Sequence, residues 1–275
     1  MVRIMTVMDN AVSGNRGLKA CHGLSFYIQS EQIKLLFDFG QGPETWENAR
    51  RLNVPLSQLS YLVFSHSHYD HCTGFLWAKE HGVKGIVVHG AEKAFFQEKY
   101  KKENKKLIYL GAGFDQRYFH ADCWQQLVCE DTLELGKGCW AAGRFKRIHP
   151  QESISERYVR EEEEKMETDP FEDEICLVFK TTDGLAVTAG CSHPGIINIL
   201  DTVTQRFGEP VRTVIGGLHL SKAEPERMEW TAKQLRRLGV KKTALNHCTG
   251  KEFMEVLAGW GIENCCLDAG SCLYL

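Results

Sequence analysis

The chain has no C-x-x-C pair among its eleven cysteines, no apolar run of about eighteen residues, and no Pro-, Gly- and Ser-rich linker. The first absence, with an odd cysteine count, argues against a disulfide framework and for the reduced thiols of a cytoplasmic protein. The second excludes a membrane-spanning helix, and residues 1–8 have neither the basic start nor the long apolar middle of an export signal. The third favours one domain over 1–275, and 43% hydrophobic residues are enough for a large core. Positive charge is also scarce. The formal net charge is -3, and residues 99–106 form the only basic run, which reads as a solvated helix end. Phosphate-backbone binding rests on Lys and Arg, so nucleic acid is disfavoured as a partner.

What is present is a regular alternation at both ends of the chain. Residues 2–8 alternate at period two, and 23–30 and 33–37 give two more strands across a polar turn. Pro43 starts a helix to residue 52, residues 61–64 form a buried strand, a helix begins at Thr73, and the strand 85–88 ends at His89. From about 100 to 173 the periodicity weakens and glycines punctuate short apolar pieces. A variable insertion is expected there, acting as a lid over a cleft. Its acidic run Glu161-Glu162-Glu163-Glu164 reads as a solvated face. Tyr118, Phe119, Trp124 and Trp140 read first as core and second as a platform for a flat ring. Regularity returns with a hairpin, 175–180 and 185–189, across Thr182-Asp183-Gly184. A helix from Ile196, a strand 212–215, a helix 225–238, a strand 242–245 and a helix from Lys251 follow.

The segment His66-Ser67-His68-Tyr69-Asp70-His71 puts three imidazoles and a carboxylate on six residues directly after an apolar strand. Both groups suit Zn²⁺, and ligands that leave positions open belong to catalytic rather than structural sites. The spacing i, i+2, i+4, i+5 fits neither a helix face nor a strand face, so these side chains converge only on a loop at a strand's end. The tetrapeptide His71-Cys72-Thr73-Gly74 recurs as His247-Cys248-Thr249-Gly250. Each copy follows an apolar strand and precedes a helix, which predicts one strand-to-helix corner used twice, with His71 facing His247.

The H-x-H-x-D-H pattern resembles the metallo-β-lactamase superfamily over nearly the whole chain. Gly190-Cys191-Ser192-His193, Gly216-Gly217-Leu218-His219 and His247-Cys248-Thr249-Gly250 resemble its dihydropteroate-synthase-like branch, which includes enzymes joining a dihydropterin to a ribofuranosylaminobenzene phosphate. The resemblance implies an α/β fold, a four-layer αββα sandwich of two similar halves with metal ions at their junction. It implies that His66 and His68 bind one ion with His193, and that Asp70, His71 and His247 bind a second. Zinc, two ions, is the expected cofactor, with iron or manganese as alternatives. Asp38 takes the place of a residue that orients the ligands. In one respect the chain departs from the pattern: Cys191 stands where most superfamily hydrolases carry a metal-bridging Asp. Either its thiolate is a ligand, or His193 takes that position with Cys191 as a neighbour.

The implied activity is that of a metal-dependent hydrolase, or a pterin-type transferase, working through a metal-bound hydroxide or a metal-polarised group. Asp70 and His219 are the catalytic candidates, His219 as proton donor or phosphate holder. Helix starts after His71, His193 and His247 favour anions, so the expected partner is a small phosphate-bearing or cyclic molecule. His22, Asn10 and His89 are candidates for lining its pocket, His89 reading first as a structural histidine at a strand end. A nuclease of the same fold and a non-catalytic metal or redox sensor are the competing readings. A homo-oligomer is compatible with all three.

Overall fold

A computed structural model describes residues 1–14, 17–121 and 124–275. Two seven-stranded sheets stack face to face. The first runs in the order Cys272–Tyr274, Arg3–Met8, Ser25–Gln29, Lys34–Phe37, Tyr61–Val63, Ile86–His89, Gln126–Val128. The second runs Glu263–Cys266, Lys242–Leu245, Val211–Gly216, Gly184–Ala189, Cys176–Thr181, Cys139–Ala142, Thr132–Gly136. Each sheet is antiparallel on one side and parallel on the other. This repetition makes the two halves similar.

Strand periodicity explains the layering. In the first sheet Phe26, Ile28, Leu35, Phe37 and Val63 point inward onto Leu177, Phe179, Ala186, Ile215 and Ala244 of the second. Their neighbours Tyr27, Leu36 and Leu62 point the other way, onto Trp46 of the helix Glu44–Arg51 and onto Phe75. The outer face of the second sheet is covered by the helices Ile196–Phe207, Pro225–Leu238 and Lys251–Gly259. Strands buried on both faces read as continuous apolar runs, which is why the parallel strands stood out in the sequence. The result is the expected αββα sandwich. Every parallel strand ends on the same edge, where open α/β sheets collect their ligands.

Three local expectations are corrected. Residues 100–173 are not one insertion: Gln126–Val128 extends the first sheet, and Thr132–Gly136 and Cys139–Ala142 extend the second. Only Lys99–Glu103, Lys106–Tyr109, Tyr158–Glu162 and Lys165–Thr168 form a separate four-stranded sheet, with the acidic run at the Glu162/Lys165 turn. The basic run is therefore a β-hairpin rather than a helix end, and its first member, Lys99, is buried. The helix after His71 is a single turn, Tyr69–Cys72, continued as a 3₁₀ segment Thr73–Trp77. A Cβ at Gly74 would strike the carbonyl of Phe39, so only glycine fits where this segment passes its neighbour.

Tyr118, Phe119 and Trp124 pack in the core beneath the first sheet, and Trp140 packs on Phe207. No helix among the described residues is long and apolar enough to cross a membrane. The ten described cysteines are free, and Cys123 lies outside the described residues.

Candidate metal centre

The ligand loop leaves strand Tyr61–Val63 and is organised by Asp38, which stands at the end of the neighbouring strand with φ 63°. One carboxylate oxygen of Asp38 accepts the Ser65 N–H at 2.7 Å, and the other accepts the Ser65 hydroxyl at 2.7 Å and lies 2.6 Å from His71 Nδ1. Ser65 Oγ is in turn 2.9 Å from His66 Nδ1. A carboxylate only accepts, and the serine hydrogen is already given to it. Both imidazoles therefore carry a proton on Nδ1, which leaves His66 Nε2 without a hydrogen-bond partner and turns His71 Nε2 toward Cys191. Asp38 thus contacts both Ser65 and His71 of the ligand loop, the geometry that an orienting residue needs. Gly190 is glycine for the same reason, since a Cβ there would collide with Ser65 Oγ.

The Nε2 of His66 meets two further rings. Donor atoms of His66, His68 and His193 lie within 4.8 Å of one another. His66 and His193 Nε2 are buried without a hydrogen-bond partner. Buried imidazole nitrogens seldom go unpaired, so this trio fits a metal ion. Burial also holds all three neutral: His66 and His193 are pushed well below the usual range and His68 to about 3. Phe171 lies flat on His193 at 4.1 Å and 9°, fixing that ring.

The expected second set is only partly as drawn. Asp70 Oδ2 lies 3.4 Å from His247 Nε2 and 3.8 Å from His71 Nε2, but its nearest cationic neighbour is His22, at 3.1 Å. His22, Asp70 and His247 form the tight trio, whereas His71 Nε2 is 3.2 Å from Cys191 Sγ and groups with His66 and Cys191. His22, expected to line a substrate pocket, is thus a candidate ligand. Asn10 takes a supporting place: its Oδ1 accepts the Gly23 N–H and faces His247 Nδ1, both at 3.1 Å, and its Nδ2 donates to the His247 carbonyl. His89 is a correction. It is buried away from the cleft, with Nδ1 donating to the Gly90 carbonyl at 2.8 Å and its ring stacked 4.7 Å from Phe95.

The sequence profile of the metallo-beta-lactamase superfamily matches residues 18–196. The chain belongs to that superfamily. It is 29% identical, over 92% of its own length and 91% of the relative's, to the 7,8-dihydropterin-6-methyl-4-(beta-D-ribofuranosyl)-aminobenzene-5'-phosphate synthase of Methanocaldococcus jannaschii. Among solved structures it resembles Tm1679, a metal-dependent hydrolase of the beta-lactamase superfamily, at 28% identity and TM-score 0.85, covering 100% of this chain and 99% of that one. The short form of human tRNase Z shares the fold alone, at 11% identity and TM-score 0.54 over 99% and 98% of the two chains.

His22, His68, His193 and His247 line a cavity of about 740 Å³, with His66 and His71 buried behind them. His219, with φ 53°, stands on its wall with Nε2 3.1 Å from the Tyr158 hydroxyl. Sequence reasoning missed the groups that come from the separate sheet and the loop after it. Lys99 is buried between Asp173, 2.6 Å away, and Asp169, 3.4 Å away. Asp173 also accepts the N–H and hydroxyl of Ser67, at 2.9 and 2.8 Å, and so ties the ligand loop to this sheet. Burial alone would depress the Lys99 ammonium, but the two aspartates hold it above the usual lysine range. Glu174 accepts the His193 N–H at 2.9 Å, and burial pushes its carboxyl up to about 8. The three carboxylates lie about a hundred residues from the motif, and no local spacing marks them or Lys99.

Proposed function

We propose that this protein is a metal-dependent enzyme whose cleft holds two divalent ions, zinc foremost, and that it catalyses group transfer on a small, phosphate-bearing, ring-containing substrate. The observation that carries the reading is the convergence of His66, His68 and His193, the nitrogens of His66 and His193 buried without a partner, beneath a cavity of small-molecule size that His68 and His193 line. These three would hold one ion, and Asp70 and His247, with His22 or His71, the other. Bound there, such ions supply Lewis acidity at an electrophilic centre and charge to offset an anionic leaving group. The chain's own groups do the rest. Asp38 keeps the proton of His71 on Nδ1 directly and that of His66 through Ser65, while Asn10 does the same for His247. His219, paired with Tyr158 on the wall, is placed to hand a proton to a departing group.

Transfer is supported by likeness to the synthase over nine-tenths of both chains, and by a thiol, Cys191, where most superfamily hydrolases carry a bridging carboxylate. Hydrolysis is the second reading, supported by likeness to Tm1679, and differs only in what attacks. The test starts with elemental mass spectrometry on protein purified without added metal. About two ions per chain, falling by about one in His193→Ala, is the expected result. The loaded enzyme is then given a dihydropterin whose 6-methylene carries a diphosphate leaving group, with a ribofuranosylaminobenzene phosphate as the acceptor, and separately simple phosphoesters. Coupling with release of diphosphate and retention of the acceptor's phosphate supports transfer, and phosphate release without coupling selects hydrolysis. A fully loaded protein with neither activity would overturn the enzyme reading in favour of a sensor.

A further inference from the structure

The cavity has two chemically different ends. Its floor is imidazole, but part of its wall comes from the four-stranded sheet, and three cations reach it there and from the facing loop: Arg157, Lys101 and Lys222. Arg157 immediately precedes strand Tyr158–Glu162. Its guanidinium lies 5.0 Å from the Tyr158 ring centroid, its Nη2 donates to the Tyr158 hydroxyl at 3.2 Å, and its Nε is buried without a partner. Lys101 is the cross-strand partner of Tyr158, so the two side chains leave the sheet on one face, toward the cavity. Lys222 is exposed on the segment between Val211–Gly216 and Pro225–Leu238.

Charge balance separates these groups from structural cations. Arg227 also borders the cavity, but it is occupied by Glu152 at 3.1 Å and Thr231 at 3.1 Å. Among the described residues Arg157 and Lys222 have no ion-pair partner, and Lys101 has only Glu103, 3.0 Å away. Three cations against one exposed carboxylate, with a pre-oriented guanidinium among them, match a phosphate dianion. The Tyr158 ring that carries Arg157 also touches His193, at 5.6 Å, and His219, at 5.8 Å. An anion on Arg157 therefore sits beside the imidazole floor rather than over it.

We propose that Arg157, Lys101 and Lys222 form a phosphomonoester-binding site, separate from the metal centre, which grips the substrate by a phosphate that does not react. The inference rests on the cavity being the substrate site and deepens that reading: chemistry takes place at the far end of the molecule, and the phosphate is a handle. It also accounts for the placement of the separate sheet, which brings Arg157 and Lys101 to the cleft.

The experiment is calorimetric titration of the metal-loaded protein with ribose 5-phosphate, with ribose as control and free phosphate followed by NMR. Ribose 5-phosphate should bind and ribose should not, with no phosphate released. Arg157→Gln should weaken binding by about tenfold or more, and Arg157→Lys by less, since a charge-assisted hydrogen bond contributes at about that level. Lys222→Gln, at an exposed position that cannot disturb folding, should weaken it by about threefold. His193→Ala should leave the affinity within about twofold. Binding unchanged in both cation variants but lost in His193→Ala would place the phosphate on the metal centre and overturn the proposal, as would phosphate release or no binding by the wild type. Turnover is not the readout, so a failure here is separable from failure of the enzyme reading, which the metal content and coupling assays decide.

Discussion

The two copies of His-Cys-Thr-Gly are identical in sequence and different in almost every physical respect. His71 is fully buried within a helical turn, its Nδ1 held at 2.6 Å by the carboxylate of Asp38. His247 follows strand Lys242–Leu245 in left-handed backbone, φ 54°, with its N–H given to Asp9 at 2.9 Å and its Nδ1 facing the neutral amide of Asn10 at 3.1 Å. Cys72 is buried and donates to the His66 carbonyl at 3.0 Å, whereas Cys248 borders the cavity beside Cys191 and His219. Thr73 bonds Ala112, while Thr249 accepts the Leu218 N–H. The two rings do face one another, 4.9 Å apart and nearly perpendicular, as the repeat suggested, but not through a shared corner geometry. A four-residue string carries the ligand type. Its conformation and protonation are imposed by partners from elsewhere in the chain.

The sharpest way to break this comparison is to remove the two partners. Asp38→Ala leaves His71 Nδ1–H and both donors of Ser65 without an acceptor, and should lower zinc affinity about 100-fold and stability by about 3 kcal/mol. Asn10→Ala, at the more open corner, should lower zinc affinity by no more than about tenfold. Competition with a chelator of known affinity, beside chemical denaturation, reads both; equal losses would mean the corners are equivalent after all.

A smaller effect separates the thiols. Burial pushes Cys72 well above the usual range, whereas for Cys248 the same burial is outweighed by contacts from Cys191 and His219 that pull its thiol well below. In metal-free protein Cys248 should therefore be alkylated faster than Cys72 by about 100-fold, as peptide mapping would show. Comparable labelling would erase the distinction.

The mildest test extends the comparison to a third corner, Gly195, which like Gly250 opens a helix at positive φ. There Glu152 accepts the N–H groups of Ile197 and Asn198, at 3.0 and 2.7 Å, and burial raises its carboxyl above the ordinary value of 4.5. The folded protein then holds this proton more tightly than the unfolded chain. That contribution is fully present below about pH 4.5 and is lost as pH rises through the folded value. Melting temperature across that window should fall in the wild type and flatten in Glu152→Gln; parallel curves would count against the assignment.

Much of the architecture could be read locally. Helix Pro225–Leu238 and strand Lys242–Leu245 coincide with the expected spans because an N-terminal Pro, a following Gly and an uninterrupted apolar period mark them. The ligand loop was legible because four ligand-type side chains in six residues have little other use. Residues 100–173 were not legible, since half-exposed hairpins such as Lys106–Tyr109 show no burial alternation. Lys99 looked solvated because only long-range folding brings it to Asp173 and Asp169, and His89 looked like a cleft residue because its aromatic neighbours Phe95 and Phe119 close around it only in the packed core.

By itself, then, the sequence determined most of the strands and helices outside residues 100–173, the superfamily, and the ligand types offered at the parallel strand ends, because these depend on periodicity and on short spacings that act within a few residues. Only the tertiary structure decided which Nε2 atoms are free, that His22 rather than His71 stands closest to Asp70, and that Phe171, Tyr158 and Arg157 border the cleft. Those outcomes depend on contacts between segments far apart in the chain, where distance and the direction of a proton are set by packing and not by neighbours in sequence.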